Sequence, residues 1–499
     1  MNELNLIPQP VSIRYKDGCF QCAELPSASG DAAFKNELAV FSEQMAALGR
    51  LSASALIECR HDAGLASEAY RLSITPQNIA LTAATGAGAY HGLQSLRQLI
   101  LSGITGAGAV SIPCADIEDA PRFPWRGFML DTARYFYSID FTKKLIDALS
   151  LHHISRFHWH LTDDQGWRLP VKEYPLLTEI GSRKLSVRHQ PRDARYIGGF
   201  YTEDEIRDLV AYAAARHIEV VPEVDLPGHA SAILAAYPGL GCSGGPYRVE
   251  DRFGIFEDVL CAGNDAIFDL GDAVFNTLAR LFPSPYVHIG GDEVLYNHWQ
   301  KCPKCQKRLV ETGLQSPREL QSWITVRLAR MLATRGKTAI GWDEVLEDSA
   351  QYPLPKDVVV MSWRGTKGGI EASRLGHDVI MTPNTEGCYF DYKYRKDPEE
   401  PGQLGVSTIQ QVYHMNPVSP DMPADAAVRV LGGQGNLWSE LIYAGKIAEY
   451  MIFPRLCALA EAVWTPSVAK DFDSFTRRLP VHQQRLERLG VLQYRGLMN

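Results

Sequence analysis

The residues best equipped for chemistry lie in Val287-His288-Ile289-Gly290-Gly291-Asp292-Glu293, an apolar run that ends in two glycines and two adjacent carboxylates. Two carboxyl groups suit the breaking of an acid-stable glycosidic bond, in which one protonates the leaving oxygen while the oxocarbenium-like centre is stabilised. Adjacent strand residues point to opposite faces, so Asp292 and Glu293 can serve one ligand only if the chain bends at the strand tip. Gly290 and Gly291 supply that freedom. Taken alone, such a pair serves equally well to cap a following helix. Its company decides: Trp342 in Gly-Trp-Asp-Glu, Trp363 in Met-Ser-Trp-Arg and Trp438 in Asn-Leu-Trp-Ser-Glu stand at comparable positions, with Trp299 just after the pair. A single tryptophan mostly buries. Three at one level of a fold form a box with apolar walls, which sugar rings or acetamido methyls fit. Desolvation and a neighbouring like charge both raise a carboxyl pKa, so one member of the pair can stay protonated near neutral pH.

These groups need a scaffold that brings distant segments to one level. From about residue 120 onward, short apolar or β-branched runs alternate with segments of helical period. Eight runs are recognisable, at 127–131, 156–163, 218–225, 286–293, 338–344, 358–363, 378–384 and 428–440. Thr202 with Glu205 forms a capping box ahead of a helical run to His217. Ser316-Pro317-Arg318-Glu319 starts another helix, which Gly336 ends. This alternation implies a parallel sheet, and eight units in about 340 residues fit a (β/α)8 TIM barrel. Nearly every run closes on Asp, Glu, His or Trp, and the C-terminal ends of barrel strands are where this fold places its active site.

Before the barrel, residues 1–115 read as a small α+β domain without a cluster of chemical groups. Strand-like runs at 70–75 and 79–83 flank the Pro76-Gln77-Asn78 turn, and 89–100 has helical spacing. Pro113, Pro121 and Pro124 mark the boundary to a barrel spanning 120–465. Residues 466–499, rich in Arg and Leu with Pro480 breaking them, read as helix packed outside the barrel.

With 499 residues, 45% hydrophobic and 22% charged, the chain has enough apolar material for a large core. A net charge of -8 and no dense Lys/Arg run argue against nucleic acid or a polybasic membrane anchor, leaving a neutral ligand. No stretch approaches the roughly 18 apolar residues of a membrane span, and the opening Met-Asn-Glu-Leu-Asn-Leu-Ile-Pro lacks a signal-peptide pattern. The expectation is a cytoplasmic chain as it stands, although a trimmed signal peptide would leave no trace. The ten cysteines are scattered and read as reduced thiols. The close pair Cys302 and Cys305 reads as a local loop feature, because zinc needs four ligands and only His298 lies nearby in sequence. No metal or cofactor is expected.

The chain resembles family 20 glycoside hydrolases, the β-N-acetylhexosaminidases. The resemblance is carried by Trp125-Arg126-Gly127, by 158–167 (His-Trp-His-Leu-Thr-Asp-Asp-Gln-Gly-Trp), by Pro222-Glu223-Val224-Asp225-Leu226-Pro227-Gly228-His229, by His288 to Glu293 and by Leu437-Trp438-Ser439-Glu440. It covers the whole barrel, and Ile7-Pro8-Gln9-Pro10 opens a stretch similar to the family's preceding domain. The resemblance implies retaining, exo-acting cleavage of terminal β-linked GlcNAc or GalNAc, with the substrate's own acetamido oxygen as nucleophile. It further implies Glu293 as general acid and base, Asp292 as partner of the acetamido N–H and Tyr389 as partner of its oxygen. Trp342, Trp363 and Trp438 would wall the methyl group. Arg126, Asp391 and Glu440 would hold sugar hydroxyls, and Asp163 with His229 would tune the acid.

Two rivals remain on the sequence. One is a catalytically silent carbohydrate-binding protein, which has no need of Asp292, Glu293 and Tyr389 together. The other is a metal-dependent hydrolase using His158, His160 and Asp163, with both histidines on one strand face. The glycine-rich segment 241–258 after the third run is placed to shape the cleft beyond the first sugar. Preference between GlcNAc and GalNAc, the aglycone and the oligomeric state, a homodimer included, stay open.

Overall fold

The computed structural model describes residues 4–105, 108–185, 196–347 and 350–496. The first unit is a six-stranded mixed sheet in the order Ser12–Cys22, Val110–Asp119, Tyr70–Ile74, Ile79–Ala83, Leu51–His61, Leu25–Gly30. The Pro76 turn joins an antiparallel pair as expected, with Thr75 N–H donating to the Asn78 carbonyl at 3.0 Å. Helix Gly86–Gly103 is buried nearly all round, its polar His91, Gln94, Arg97 and Gln98 included, because it is covered by this sheet and by the barrel helix Ile139–Leu151.

The domain boundary falls later than residue 115. Strand Val110–Asp119 continues past Pro113, which sits opposite Cys19 where the pairing register shifts, a place where the missing proline N–H removes no regular ladder bond. The C-terminal expectation also changes. A single helix, Phe472–Arg488, runs through Pro480. It packs on helix Gly86–Gly103, so it clamps the first unit as well as the barrel. Its Arg485 donates to the carbonyls of Leu4 and Asn5, and Arg478 to that of Leu6.

The eight strands expected for the barrel all form and close in parallel: Trp125–Asp131, Arg156–His160, Glu219–Glu223, Tyr286–His288, Thr338–Trp342, Val359–Ser362, Val379–Met381 and Val430–Leu437. Thr202 and Glu205 make the capping box that starts the helix after the second strand. The barrel interior is partly polar. Glu223, fully buried at its centre, lies 2.9 Å from His158 Nε2, 2.5 Å from His160 Nδ1 and 3.0 Å from His288 Nδ1, and it accepts the Trp342 indole N–H at 2.9 Å. Burial alone would raise its pKa, but the three histidines outweigh it and hold the carboxyl well below its usual range.

Arg126 belongs to the other end of the barrel. It is the second residue of the first strand, at the N-terminal end, and is completely buried. Its guanidinium pairs with Glu68 of the first unit at 2.5 Å, donates to the carbonyls of Phe123 and His153 at 2.8 Å, and lies over the Trp464 ring. The expected sugar contact is therefore corrected: Arg126 joins the two units. Burial works against ionised Glu68, but His91 and Arg126 outweigh it and depress its pKa below the ordinary 4.5. A depressed carboxyl contributes stability above that value and loses it as pH falls through the folded pKa. Arg126→Met should cost roughly 3–5 kcal/mol in urea unfolding at pH 7. The gap from the unsubstituted protein should narrow once the pH drops below 4.5.

Candidate functional site

The fourth barrel strand ends at His288, and the chain then turns through positive φ at Gly290 (+66°), Gly291 (+92°) and Glu293 (+52°). The turn is forced by a neighbour: a Cβ at Gly290 would lie 1.9 Å from Asp225 Oδ1, the same oxygen that accepts the Gly291 N–H at 2.9 Å. Asp225 thus fixes the bend that turns both carboxylates to the same side. Asp292 is the deeper, its side chain 11% exposed against 31% for Glu293. Burial and the adjacent Asp225 push the Asp292 carboxyl well above its ordinary range, against the pull of His229. Asp225 itself rises to about 6, again chiefly through burial. Both acids therefore hold a proton more tightly than exposed carboxyls do.

Behind them runs a chain of charges from the barrel centre. His160 bridges Glu223 and Asp163, with Nε2 to Asp163 Oδ2 at 2.9 Å. Asp163 meets Arg134 at 2.9 Å and lies 3.3 Å from His229 Nδ1. His229 Nδ1 also bonds Asp164 at 2.9 Å, while its Nε2 lies 3.7 Å from Asp292 and 3.6 Å from Glu293. Burial opposes the charge on His229, but Asp163, Asp164 and Asp292 outweigh it and hold the imidazole well above its ordinary pKa. The ring is a cation placed against the carboxylate pair.

In front of the pair opens a cleft of about 320 Å³, lined at its deep end by Arg134, Asp391, Trp438 and Glu440 and on one side by Trp363 and Tyr389. Trp363 and Tyr389 stack with ring centroids 5.9 Å apart, and the Arg134 guanidinium lies 5.0 Å from the Trp438 ring. Burial holds the Tyr389 phenol well above its ordinary pKa, so it stays a donor. Phe253, Gly254 and Ile255 form a further wall, which puts segment 241–258 at the cleft as expected. Asp292 Oδ1, Asp391 Oδ1 and Glu440 Oε2 are buried without a hydrogen-bond partner among the described residues. Buried oxygens left unpaired cost free energy, so three around one cleft indicate a ligand that brings N–H and O–H groups.

Three further groups of residues find their places in the structure. Trp342 does not line the cleft; it is buried one layer below, 5.8 Å from Trp438, with its N–H spent on Glu223. Asp163 and His229 stand behind the carboxylates rather than against a ligand. His158, His160 and Asp163 do not converge as metal ligands, because both nitrogens of His160 are committed to carboxylates and Asp163 is held by Arg134.

The sequence reading missed Arg134, Asp225 and Glu344. Arg134 follows the first strand at its C-terminal end, which is the signal that separates it from Arg126. Glu344 accepts the Trp363 indole N–H at 2.9 Å, and burial together with Asp292 and Asp343 pushes its pKa to about 9. Its signal was its place at the tip of the fifth strand. Cys302 and Cys305 are not an isolated pair either, since the fold brings Cys242 and Cys261 against them.

A parallel barrel with a carboxylate pair in an aromatic cleft at the C-terminal ends of its strands fits a glycoside hydrolase. Residues 123–467 match "Glycosyl hydrolase family 20, catalytic domain", and residues 3–120 match "Glycosyl hydrolase family 20, domain 2". The chain belongs to glycosyl hydrolase family 20, the β-N-acetylhexosaminidases. It is 39% identical to a beta-hexosaminidase of Porphyromonas gingivalis, covering 98% of this chain and 64% of that longer protein. A beta-hexosaminidase of Akkermansia muciniphila is 34% identical, with 84% of each covered. Among solved structures, the exo beta-N-acetylglucosaminidase of Vibrio harveyi in complex with N-acetylglucosamine superposes with a TM-score of 0.90 at 32% identity, over 99% of this chain and 78% of that one.

Arg134 faces Glu440 at 3.8 Å within the cleft, so its loss removes a charged donor from the deep end. Arg134→Met should lower kcat/KM by about 10- to 100-fold, from a charged hydrogen bond of roughly 1.5–3 kcal/mol. Arg126→Met should leave KM unchanged, and the two variants can be compared directly in steady-state kinetics.

Proposed function

We propose that the protein removes terminal, non-reducing β-linked N-acetylhexosamine with retention, the acetamido oxygen of the substrate attacking the anomeric carbon. The observation that carries this reading is the unequal depth of the carboxylate pair. Asp292 lies within the aromatic box beside Tyr389, where an acetamido group fits, while Glu293 lies nearer solvent, where a leaving group and then water enter.

In the first step Glu293 protonates the glycosidic oxygen as the carbonyl oxygen closes on C1, forming an oxazolinium-type ring. Asp292 accepts the acetamido N–H, which becomes more acidic as positive charge develops, and Tyr389 donates its O–H to the acetamido oxygen and aligns it. Trp363 and Trp438 exclude water from the methyl side, and Trp342 supports them from below. In the second step Glu293 takes a proton from water, which opens the ring from the face the leaving group vacated. Two inversions give net retention. Arg134, Asp391 and Glu440 close the deep end and take up the hydroxyls of the terminal sugar, which suits exo cleavage. His229, held by Asp163 and Asp164, keeps a positive charge beside both carboxyls.

Glu293→Gln should reduce kcat on an unactivated disaccharide by about 10²–10⁴-fold, and by less on a p-nitrophenyl glycoside whose leaving group needs no proton. Tyr389→Phe should lose about 10- to 100-fold in kcat/KM, with Tm unchanged. Because the acetamido group is the nucleophile, p-nitrophenyl β-N-acetylglucosaminide should be cleaved and plain β-glucosides hardly at all. A thiazoline mimic of the cyclised intermediate should inhibit tightly; rapid turnover of a β-glucoside would overturn the mechanism.

A further inference from the structure

Four cysteines that the reaction does not use converge beside the cleft. Cys242 and Cys261 stand at the two ends of the segment that carries Phe253 and Ile255, where Gly241 bridges Leu260 and the Cys261 N–H donates to the Leu240 carbonyl at 2.8 Å. Cys302 and Cys305 lie at the start of helix Pro303–Thr312, with Cys302 as its N-cap residue. The sulfurs of Cys242 and Cys305 are 3.8 Å apart, those of Cys261 and Cys302 3.8 Å, and those of Cys261 and Cys305 3.6 Å. All four lie within 4.8 Å of one another, and three of the residues are buried.

We infer that Cys242, Cys261, Cys302 and Cys305 bind one zinc ion that closes the neck of the cleft-wall segment onto the chain following the catalytic pair. Zinc–thiolate bonds of about 2.3 Å in a tetrahedron put their sulfurs about 3.8 Å apart, which is the spacing found. Two disulfides fit this arrangement poorly, because Cys261 and Cys305 each approach two partners at similar distance while a sulfur can bond only one. The backbone is shaped for the cluster as well. A Cβ at Gly263 would lie 2.1 Å from the Lys304 carbonyl carbon, so glycine lets the Cys261 and Cys305 segments approach this closely. Each thiol releases its proton to solvent on ligation, so no oxidant or reductant is needed.

With four protein ligands the ion has no open position and its role is structural. The held neck continues into Leu260, whose carbonyl accepts the Trp299 indole N–H at 2.9 Å, and Asn297 reaches back to Glu257 at 2.6 Å. The ion therefore fixes the Phe253 to Ile255 wall relative to Glu293, on the side where the leaving group departs. This inference is independent of how the reaction proceeds, since its primary readout is metal content.

The test is elemental analysis of the full chain purified without chelator under mild reduction. About one equivalent of zinc per chain is expected, released by a mercurial titrant, and replacement by Co²⁺ should give the strong visible bands of a tetrahedral thiolate site. The double variant Cys302→Ser/Cys305→Ser should lose the metal while Cys19→Ser, in the first unit, keeps it. In the metal-stripped protein, cleavage by a protease within residues 243–260 should accelerate at least tenfold and return to its original rate when Zn²⁺ alone is added back. Metal-free protein with four free thiols, two disulfides found by non-reducing mass spectrometry, or one equivalent of iron would each overturn the zinc site. An unchanged cleavage rate after stripping would overturn its role in holding the wall.

Discussion

Everything at the active end of this barrel depends on one buried anion, the carboxylate of Glu223. A charge at the centre of a barrel is tolerable only when it is fully satisfied, and here donors from the second, fourth and fifth strands converge on it. That requirement fixes the rotamers of three histidines and one tryptophan together. It also holds His160 in the charged form, and Arg134, His229 and His160 together let Asp163 stay ionised although fully buried. Alternating charges then lead through His229 to the carboxylate pair. The pair is thus oriented by a network that begins several residues below the surface of the cleft, and the strands cannot shift relative to one another without exposing an unpaired charge.

The two ends of the strands do separate work. At the N-terminal end, Arg126, Glu68, His91 and Trp464 join the first unit to the barrel, and the helix Phe472–Arg488 adds a second contact on helix Gly86–Gly103. At the C-terminal end, Arg134 does for the cleft what Arg126 does for the interface. The two arginines are eight positions apart, and the length of a single strand decides which joins the two units and which faces the cleft.

The cleft itself combines apolar walls with polar atoms that have no partner inside the protein. Trp363, Tyr389 and Trp438 line it with apolar surface, and the low dielectric they create strengthens every charge aimed into it. The same desolvation raises the Asp391 and Glu440 carboxyls, Asp391 further through Glu440 and Glu440 further through Asp131 against the pull of Arg134. Binding a polyhydroxylated ring relieves both at once by supplying hydrogen bonds.

The amino-acid sequence by itself determined the alternation of strands and helices, hence the barrel, and the position of Asp292 and Glu293 at a strand tip beside tryptophans on other strands. Those features rest on local periodicity and on residue type, and both are written along the chain. Only the tertiary structure decided that Arg134 rather than Arg126 faces the cleft, that Trp342 lies beneath it, that Asp225 forces the Gly290 turn, and that Cys242 and Cys261 meet Cys302 and Cys305. The physical reason is the same in each case. Burial, charge pairing and sulfur spacing depend on which segments closure of the barrel brings together, and residues more than forty positions apart carry no local mark of that meeting.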